Sequence, residues 1–535
     1  MRYGKLPRRA APLKAALDAL LAMTAMINID GEQLTLADVK RVAAGDTQVE
    51  LAEAARARVQ KSHGWITEII KAGKPVYGIN TGFGIFADKQ ISPTDTAKLN
   101  RNLILSHAVA TGPELPTEVV RATMLIRANT LAGGYSGPRP ELVETLLAML
   151  NKGLTPCIPS QGSLGSSGDL APLAHLALVL STDENDLEAE SGWAIYQGQR
   201  LSGKAAMAAA GIPRLVLAAK EGLAITNGAT FSAALAALTV SLSEILLGAA
   251  ELSAAMSLEA LQGASAAFDE RLHKARWHAG QIEVAARIRA LTQGSTLLDG
   301  GGRVQDVYSL RCAPQVQGAA REALAYVRDI IEKEINAATD NPLLFGEDVS
   351  ISGGNFHGEP VGMAMDFLKI ALSEVAAISE RRCYHLLDSH LNGGLPPMLV
   401  ANGETAGVNS GVMLLQYTAA SLVLENQALA GPDSVRSLPT SAGQEDHNAN
   451  AMTAARHAWQ VAQNTAHVLA LELTCAARAL DLRLRQSPKS RPGKGVAASH
   501  KVLRAAIPFR ENDALWGPEI EKLTELLVAG ELTDT

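Results

Sequence analysis

The stretch Gly162-Ser163-Leu164-Gly165-Ser166-Ser167-Gly168-Asp169-Leu170-Ala171-Pro172-Leu173-Ala174-His175 joins a run of small residues to an apolar segment. This order predicts a tight backbone turn that leads into a helix, with Asp169 near the helix start and Pro172 in its first turn. A well-capped helix is the plain structural interpretation. The functional interpretation is a backbone that reacts with itself. Because Gly168 has no Cβ, its nitrogen is able to approach the Ser166 carbonyl closely, while Ser167 is able to lose its hydroxyl as water.

Composition narrows the class of protein. The chain has 535 residues, of which 4% are aromatic, and it is rich in alanine, which favours long packed helices over sheets. A net charge of -7 gives no support for binding a nucleic-acid polyanion. Cys157, Cys312, Cys383 and Cys475 are scattered without a CxxC pair, as expected for reduced thiols of a cytoplasmic protein. No metal site is predicted.

The most apolar region runs from Ala233 to Gly263. It contains Glu244, Glu251 and Glu259, so a buried helix fits it better than a membrane span. We therefore expect no membrane association.

The proline pattern predicts the architecture. No proline occurs between Pro213 and Pro314, and shorter gaps run from Pro360 to Pro396 and from Pro439 to Pro488. The apolar residues in these gaps recur with helical spacing, which predicts an all-α, or mainly α, long-helix bundle. We expect residues 1–30 to form an N-terminal extension and residues 31–535 to form a single unit.

Polar loops between the helices supply the candidate chemistry. Tyr77 opens a glycine-rich loop that ends at Gly84, and a tyrosine held there is either a packing residue or a base. Since the ordinary pKa of tyrosine is about 10, a base at this position needs a nearby positive charge. Arg311 is one candidate for that charge, and it is also suited to bind a carboxylate with two hydrogen bonds. A structural salt bridge is the alternative role for this arginine.

The other polar segments each have a structural interpretation as well as a functional one. Ser106-His107 ends an apolar run, where a histidine is commonly a satisfied core residue. Gln444-Glu445-Asp446-His447 precedes a periodic helix, where a charge cluster is common. Asn227-Gly228 and the turn that contains Phe356 are able to present side chains from glycine turns. The sequence lacks HExxH, GxxxxGK[ST] and GxSxG motifs, so it gives no support for a zinc protease, a P-loop enzyme or an α/β-hydrolase.

Taken together and in this order, these segments resemble the aromatic amino acid ammonia-lyases, and the similarity runs from about Leu34 to the C-terminal region. The motifs that carry the resemblance are Tyr77 to Gly84, Ser106-His107, Gly162 to His175, Asn227-Gly228, Gln305 to Arg311, Asp340-Asn341-Pro342, Ser352 to Pro360 and Gln444 to His447. Within the family, Ser106-His107 and Glu445 are similar to the histidine-specific members. This fits the chemistry, because an imidazole needs hydrogen-bond partners that a phenyl ring does not use.

The resemblance implies a helical fold of the ammonia-lyase/fumarase-like type and a carbon-nitrogen lyase that converts L-histidine to urocanate and ammonia. Its electrophile would be a 4-methylidene-imidazol-5-one formed from Ser166, Ser167 and Gly168, without an external cofactor. The implied roles are β-proton removal by Tyr77, imidazole binding by Ser106, His107 and Glu445, orientation of the carboxylate and amine by Asn227, Tyr308 and Arg311, and pocket lining by Gln305 and Phe356. The family also implies a homotetramer whose active sites are shared between subunits.

The sequence departs from the usual family pattern at four places. They are Ser166 in the turn, Ala229-Thr230, Gly443, and Asn448-Ala449-Asn450. The last two flank Glu445, so a lyase or a 2,3-aminomutase for another aromatic or histidine-like amino acid stays an alternative. An inactive paralogue is the third hypothesis, and the presence of Tyr77 and Ser167 argues against it.

Overall fold

The computed structural model describes residues 26–45 and 47–532, apart from the side chain of Ile85. Helices dominate these residues, in agreement with the mainly α prediction. The α-helices are α1 (Leu36–Ala44), α2 (Glu53–Ala72), α3 (Thr96–His107), α4 (Thr117–Ala132), α5 (Pro140–Lys152), α6 (Leu170–Leu180), α7 (Gly203–Ala210), α8 (Glu221–Thr226), α9 (Thr230–Ala260), α10 (Glu270–Lys274), α11 (Ala279–Leu291), α12 (Tyr308–Arg311), α13 (Ala313–Glu334), α14 (Glu359–Leu387), α15 (Met413–Leu429), α16 (Ala451–Gln486), α17 (Lys494–Ala506) and α18 (Gly517–Val528).

The strands are short and form small sheets of two or three strands. They are β1 (Ile27–Ile29), β2 (Val49–Leu51), β3 (Thr111–Glu114), β4 (Thr155–Pro156), β5 (Pro159–Gln161), β6 (Ser181–Thr182), β7 (Trp193–Tyr196), β8 (Gln199–Ser202), β9 (Leu215–Val216), β10 (Leu343–Leu344) and β11 (Ser350–Ile351). The pairs β1–β2 and β6–β9 are parallel, whereas β3–β5, β10–β11 and the β4–β7–β8 sheet are antiparallel.

The proline gaps coincide with the longest helices. α9, α14 and α16 span 31, 29 and 36 residues. Pro314 and Pro360 stand in the first turns of α13 and α14, where the missing N–H of proline costs no intrahelical hydrogen bond. Helix α9 is long and apolar enough to span a membrane by composition, but 78% of its most apolar window is buried inside the structure. That burial is typical of a core helix.

The chain divides into two compact units. The first takes in the chain up to Leu238 together with Glu332–Val361 and Arg436–Met452, and the second contains the remaining segments. The single unit over residues 31–535 stays a prediction. Most of the predicted extension lies outside the described residues, and its last part contains β1.

In the second unit, a buried carboxylate joins three long helices. Glu472 of α16 accepts hydrogen bonds from Ser253 and Ser257 of α9 at 2.9 and 2.7 Å, and from Ser379 of α14 at 2.6 Å. Arg382 of α14 pairs with the same carboxylate at 2.5 Å, and both side chains are fully buried. A buried charge without partners is costly, so sliding one of these helices along another would leave the Glu472 carboxylate unsatisfied. The network therefore fixes the positions of the three helices relative to one another.

In the first unit, α3, α6 and α8 pack against one another. Their ends carry polar groups: His107 is the last residue of α3, Asp169 precedes α6, and Asn227 follows α8. This packing places the ends of three elements, far apart in sequence, around one cavity.

Candidate active site

The first unit contains a cavity of 1160 Å³. Its walls bring together most of the site residues predicted from the sequence. These are Tyr77, Ser106, His107, Ser166, Ser167, Asn227, Phe356 and Glu445. Leu103, Asn341, His357, Gln444 and His447 also line it. Within the described residues, no group of three or more His, Cys, Asp or Glu side chains is placed to hold a metal ion.

Two glycines hold the 162–168 turn against the segment after α8. The Gly228 N–H donates to the Ser167 carbonyl at 3.1 Å, and the Asp169 N–H donates to the Gly228 carbonyl at 2.9 Å. A Cβ on Gly168, whose φ is +84°, would lie 2.0 Å from the Gly228 carbonyl carbon. A Cβ on Gly228, whose φ is +104°, would lie 2.1 Å from the Thr339 carbonyl oxygen. Both positions therefore require glycine.

The Asp169 side chain connects this turn to the first residues of α9. The predicted helix start is confirmed, with Asp169 at the N-cap of α6 and Pro172 in its first turn. The side chain does not cap its own helix, however. It accepts from the Ser163 hydroxyl at 2.7 Å and from the Ser232 backbone at 2.8 Å. Burial raises the pKa of this carboxyl, and the hydrogen bonds from both serines oppose that rise.

Two side chains of the turn bind the segment 437–448, which carries Glu445. The Ser167 hydroxyl donates to Glu445 Oε1 at 2.7 Å, while Glu445 Oε2 accepts from the Thr440 hydroxyl at 3.1 Å. The Ser166 hydroxyl donates to Asn448 Oδ1. The turn and the acidic segment thus meet through adjacent serines.

Ser106 and His107 form a local pair at the end of α3. The Ser106 hydroxyl donates to the Leu103 carbonyl at 3.2 Å, and Ser106 Oγ lies 3.0 Å from His107 Nδ1. A hydroxyl that donates to a carbonyl accepts from its other neighbour, so we assign the proton of the neutral ring to Nδ1. Burial lowers the pKa of His107, which favours this neutral form. Its Nε2 is then an acceptor.

The environment of Tyr77 raises the pKa of its hydroxyl. Its hydroxyl accepts from the Gly84 N–H at 3.4 Å. Burial raises the Tyr77 pKa and the carboxylates of Glu445 and Asp340 raise it further. No cation of the described residues is among the causes of this shift, so Arg311 as a source of positive charge for Tyr77 stays a prediction.

A buried ionic network supports Asn227. Its Nδ2 donates to Asp340 Oδ1 at 3.1 Å and to the Asn341 carbonyl at 3.3 Å. Lys220 Nζ lies 2.7 Å from Asp340 Oδ2, with both side chains fully buried. The Arg127 guanidinium donates to the Asn227 carbonyl. Since both neighbours of the Asn227 amide nitrogen are acceptors, its Oδ1 is the amide atom left for a ligand.

Opposing effects set the pKa values in this network. Burial lowers the pKa of Lys220, and burial lowers the pKa of Arg127 to about 10. Burial raises the pKa of Asp340, but the charges of Lys220 and Arg127 outweigh this effect, so the pKa of Asp340 is lowered. The cluster therefore keeps its carboxylate ionised beneath the cavity.

The predicted site residues of the 305–311 motif do not line this cavity. Gln305, Tyr308 and Arg311 belong to the second unit and are not among the residues that line this cavity. Tyr308 is 71% exposed, and the Arg311 guanidinium lies 4.8 Å from the centre of its ring. Their predicted place beside Tyr77 therefore stays a prediction.

The sequence analysis missed Lys220, Arg127 and Asn448. Lys220 and the adjacent Glu221 interrupt an apolar stretch, and Asn448 is one of the departures from the family pattern, so both positions carried a signal. Arg127 follows Leu125 and Ile126 in a helix and carried none.

Comparison with known proteins defines the family. Residues 34–505 match the model of the aromatic amino acid lyase family. A histidine ammonia-lyase of Caldanaerobacter subterraneus subsp. tengcongensis is 49% identical over 492 residues, which cover 91% of this chain and 94% of that protein. This chain belongs to the aromatic amino acid lyase family, which confirms the resemblance inferred from the motifs.

Solved structures agree with this fold. Histidine ammonia-lyase from Trypanosoma cruzi superimposes with a TM-score of 0.86 at 36% identity, covering 95% of this chain and 94% of that one. Tyrosine aminomutase from Streptomyces globisporus superimposes with a TM-score of 0.88 at 35% identity, covering 95% of this chain and 98% of that one.

Proposed function

We propose that this protein is a carbon-nitrogen lyase that converts L-histidine to urocanate and ammonia. One observation carries the proposal: a single cavity is lined both by Ser166 and Ser167 of the turn and by two acceptors suited to an imidazole, His107 and Glu445. The curated relative named above is called a histidine ammonia-lyase, which supports the same reaction.

The turn fits the formation of a methylidene-imidazolone from its own residues. The Ser167 carbonyl is held by the Gly228 N–H, and the absence of a Cβ on Gly168 leaves its nitrogen unobstructed. When formed, this group supplies an electrophilic carbon to the substrate amine and makes ammonia a better leaving group. Its formation removes two waters from the chain.

The protein's own side chains then select and hold the substrate. His107 Nε2 and the Glu445 carboxylate are both acceptors, so either one binds the single N–H of a neutral imidazole and the two together bind an imidazolium. Asn227 Oδ1 is an acceptor suited to the substrate ammonium group. The Gly228 N–H stays directed at the Ser167 carbonyl oxygen, where a backbone donor stabilises negative charge that develops on that oxygen.

Tyr77 is the proposed acceptor of the β proton. Because its pKa is raised in the isolated chain, this role requires a cation from outside the unit that holds it. We assign that cation to Arg311 of a second copy, which also binds the substrate carboxylate together with Tyr308. Gln305 from the second copy completes the wall beside Phe356.

Exposed apolar surface supports such an assembly. On α14, Met363, Phe367 and Ile370 are each more than 40% exposed. On α15, a second row of exposed apolar side chains consists of Leu414, Tyr417 and Leu424. Exposed apolar side chains grouped on one helix are typical of protein–protein contact surfaces. We propose a homotetramer with shared active sites, which light scattering on the purified protein tests.

We also propose a cytoplasmic location. All four cysteines are free, as expected in a reducing compartment. The formal net charge of -7 gives no support for nucleic acid as a partner.

A second candidate reaction is a 2,3-aminomutase or a lyase acting on another aromatic amino acid. The close superposition with a tyrosine aminomutase and the residues that flank Glu445 favour keeping it. In that reaction the amine would return to the β carbon.

The experiment is incubation of the purified protein with L-histidine, L-phenylalanine and L-tyrosine, followed by ultraviolet absorbance and chromatography of the products. We expect urocanate and ammonia from L-histidine at a much higher kcat/KM than any product of the other two. A β-amino acid product, or a preference for L-tyrosine, would replace the proposal by the second candidate.

A further inference from the structure

A polar pair that the family pattern lacks connects the reactive turn to the acidic segment. Ser166 and Asn448 are both buried, and the Ser166 hydroxyl donates to Asn448 Oδ1. The Asn448 side chain also donates from Nδ2 to the Leu438 carbonyl, while its backbone N–H donates to the Ser437 hydroxyl at 2.7 Å. Asn448 therefore holds both ends of the segment 437–448 and binds it to the turn.

A second hydrogen bond between the turn and the segment 437–448, from Ser167 to Glu445, is lost when the turn matures. Ser167 donates to Glu445 at 2.7 Å before the turn matures. In the proposed dehydration the Cα–H and Cβ–O bonds of Ser167 break, a Cα=Cβ double bond forms, and the hydroxyl leaves as water with the α proton. This frees the Glu445 carboxylate for substrate, but it also removes one of the hydrogen bonds that hold Glu445 beside the turn.

The Ser166 hydroxyl survives this reaction. In the proposed ring the Ser166 carbonyl carbon is joined to the Gly168 nitrogen, so the Ser166 side chain lies outside the ring. Its bond to Asn448 is kept in the mature protein.

We propose that Ser166 and Asn448 are a positioning pair that keeps the segment 437–448, and with it Glu445, in register with the turn after the Ser167 hydroxyl has gone. The inference rests on the proposed function, because it assumes that Ser167 is dehydrated. The two residues are 282 positions apart, and each supplies a buried hydrogen-bond partner for the other.

The test is a double-mutant cycle on the full-length protein, with Ser166→Ala, Asn448→Ala and both together. The readouts are the intact mass, which reports loss of water, and KM and kcat with L-histidine. Asn151→Ala is the matched control, because Asn151 likewise bridges backbone groups, Val49 N–H and carbonyl, but lies away from this cavity.

All variants should lose the same two waters as the parent protein. Each single variant should raise KM for L-histidine about tenfold, the effect of one lost buried hydrogen bond, with a smaller change in kcat. The double variant should be no worse than the worse single variant, and Asn151→Ala should leave KM unchanged.

Several results would overturn the inference. Unchanged KM in both single variants, or effects that multiply in the double variant, would show that the pair does not act as a unit. A Ser166→Ala protein at full translated mass would show that Ser166 acts in ring formation instead. If the parent protein itself has its full translated mass, the proposed function fails rather than the pairing alone.

Discussion

Replacing Asp340 by Asn removes the carboxylate that pairs with Lys220. The two groups are 2.7 Å apart and both side chains are fully buried, so solvent does not replace the lost partner. Arg127, which is also buried, loses the same counter-charge. The variant therefore leaves both cations in the interior without the carboxylate that offsets part of their charge.

The expected cost follows from the burial. Breaking one partner of a buried ion pair costs about 3–5 kcal/mol of unfolding free energy. Lys220 has one way to reduce this cost, which is to lose its proton. From its ordinary pKa of 10.5, deprotonation costs about 1.4 kcal/mol for each pH unit below that value, or about 3 kcal/mol near pH 8. The difference in unfolding free energy between the parent protein and Asp340→Asn should therefore shrink by about 1.4 kcal/mol for each unit of increasing pH over this range.

Urea unfolding of the parent protein and of Asp340→Asn, followed by tryptophan fluorescence between about pH 7 and pH 9, measures this difference. Because Asn227 also loses its charged acceptor, KM for L-histidine should rise in the variant. A difference below about 1 kcal/mol near pH 7, or one that does not depend on pH, would refute the assignment of a charged buried pair.

Three further predictions concern other parts of the chain. Gly228→Ala should block maturation, because its Cβ would lie 2.1 Å from the Thr339 carbonyl oxygen, and intact mass would then equal the translated mass. His107→Leu should lower kcat/KM for L-histidine about tenfold or more without lowering it for L-phenylalanine, since only the imidazole uses the lost acceptor; equal losses for both substrates would contradict this role. Glu259, whose pKa is raised from 4.5 to about 7 by burial, contributes stability that is complete below pH 4.5 and is lost as pH rises through 7. Glu259→Gln should abolish this loss of about 3 kcal/mol, measured by unfolding at several pH values, and a parallel pH profile in parent and variant would disprove it.

Local patterns in the sequence were sufficient for the turn and the helices. The order of glycine, serine, aspartate and proline around Asp169 specifies a turn and a helix start because each residue acts on its own backbone. The gaps between prolines located α9, α14 and α16 for the same reason, since a helix of this length requires uninterrupted backbone donors.

These local patterns did not predict contacts between residues that are far apart in the sequence. Lys220 and Asp340 are 120 positions apart, and Ser167 and Glu445 are 278 apart, so packing alone brings each pair together. The raised pKa of Tyr77 follows from burial and from the carboxylates packed around it, neither of which is visible in its own loop. The place of Tyr308 and Arg311 in the second unit, with Tyr308 71% exposed, likewise follows from the packing of the chain and not from the order of residues in the motif.

The intact mass of the purified full-length protein tests the central claim most directly. Condensation of the Gly168 nitrogen with the Ser166 carbonyl removes one water, and dehydration of Ser167 removes another. We predict a mass lower than the translated mass by two waters in the parent protein, with Ser167→Ala losing the dehydration and nearly all activity. A parent protein at its full translated mass would contradict the account, because the cavity would then contain no electrophile.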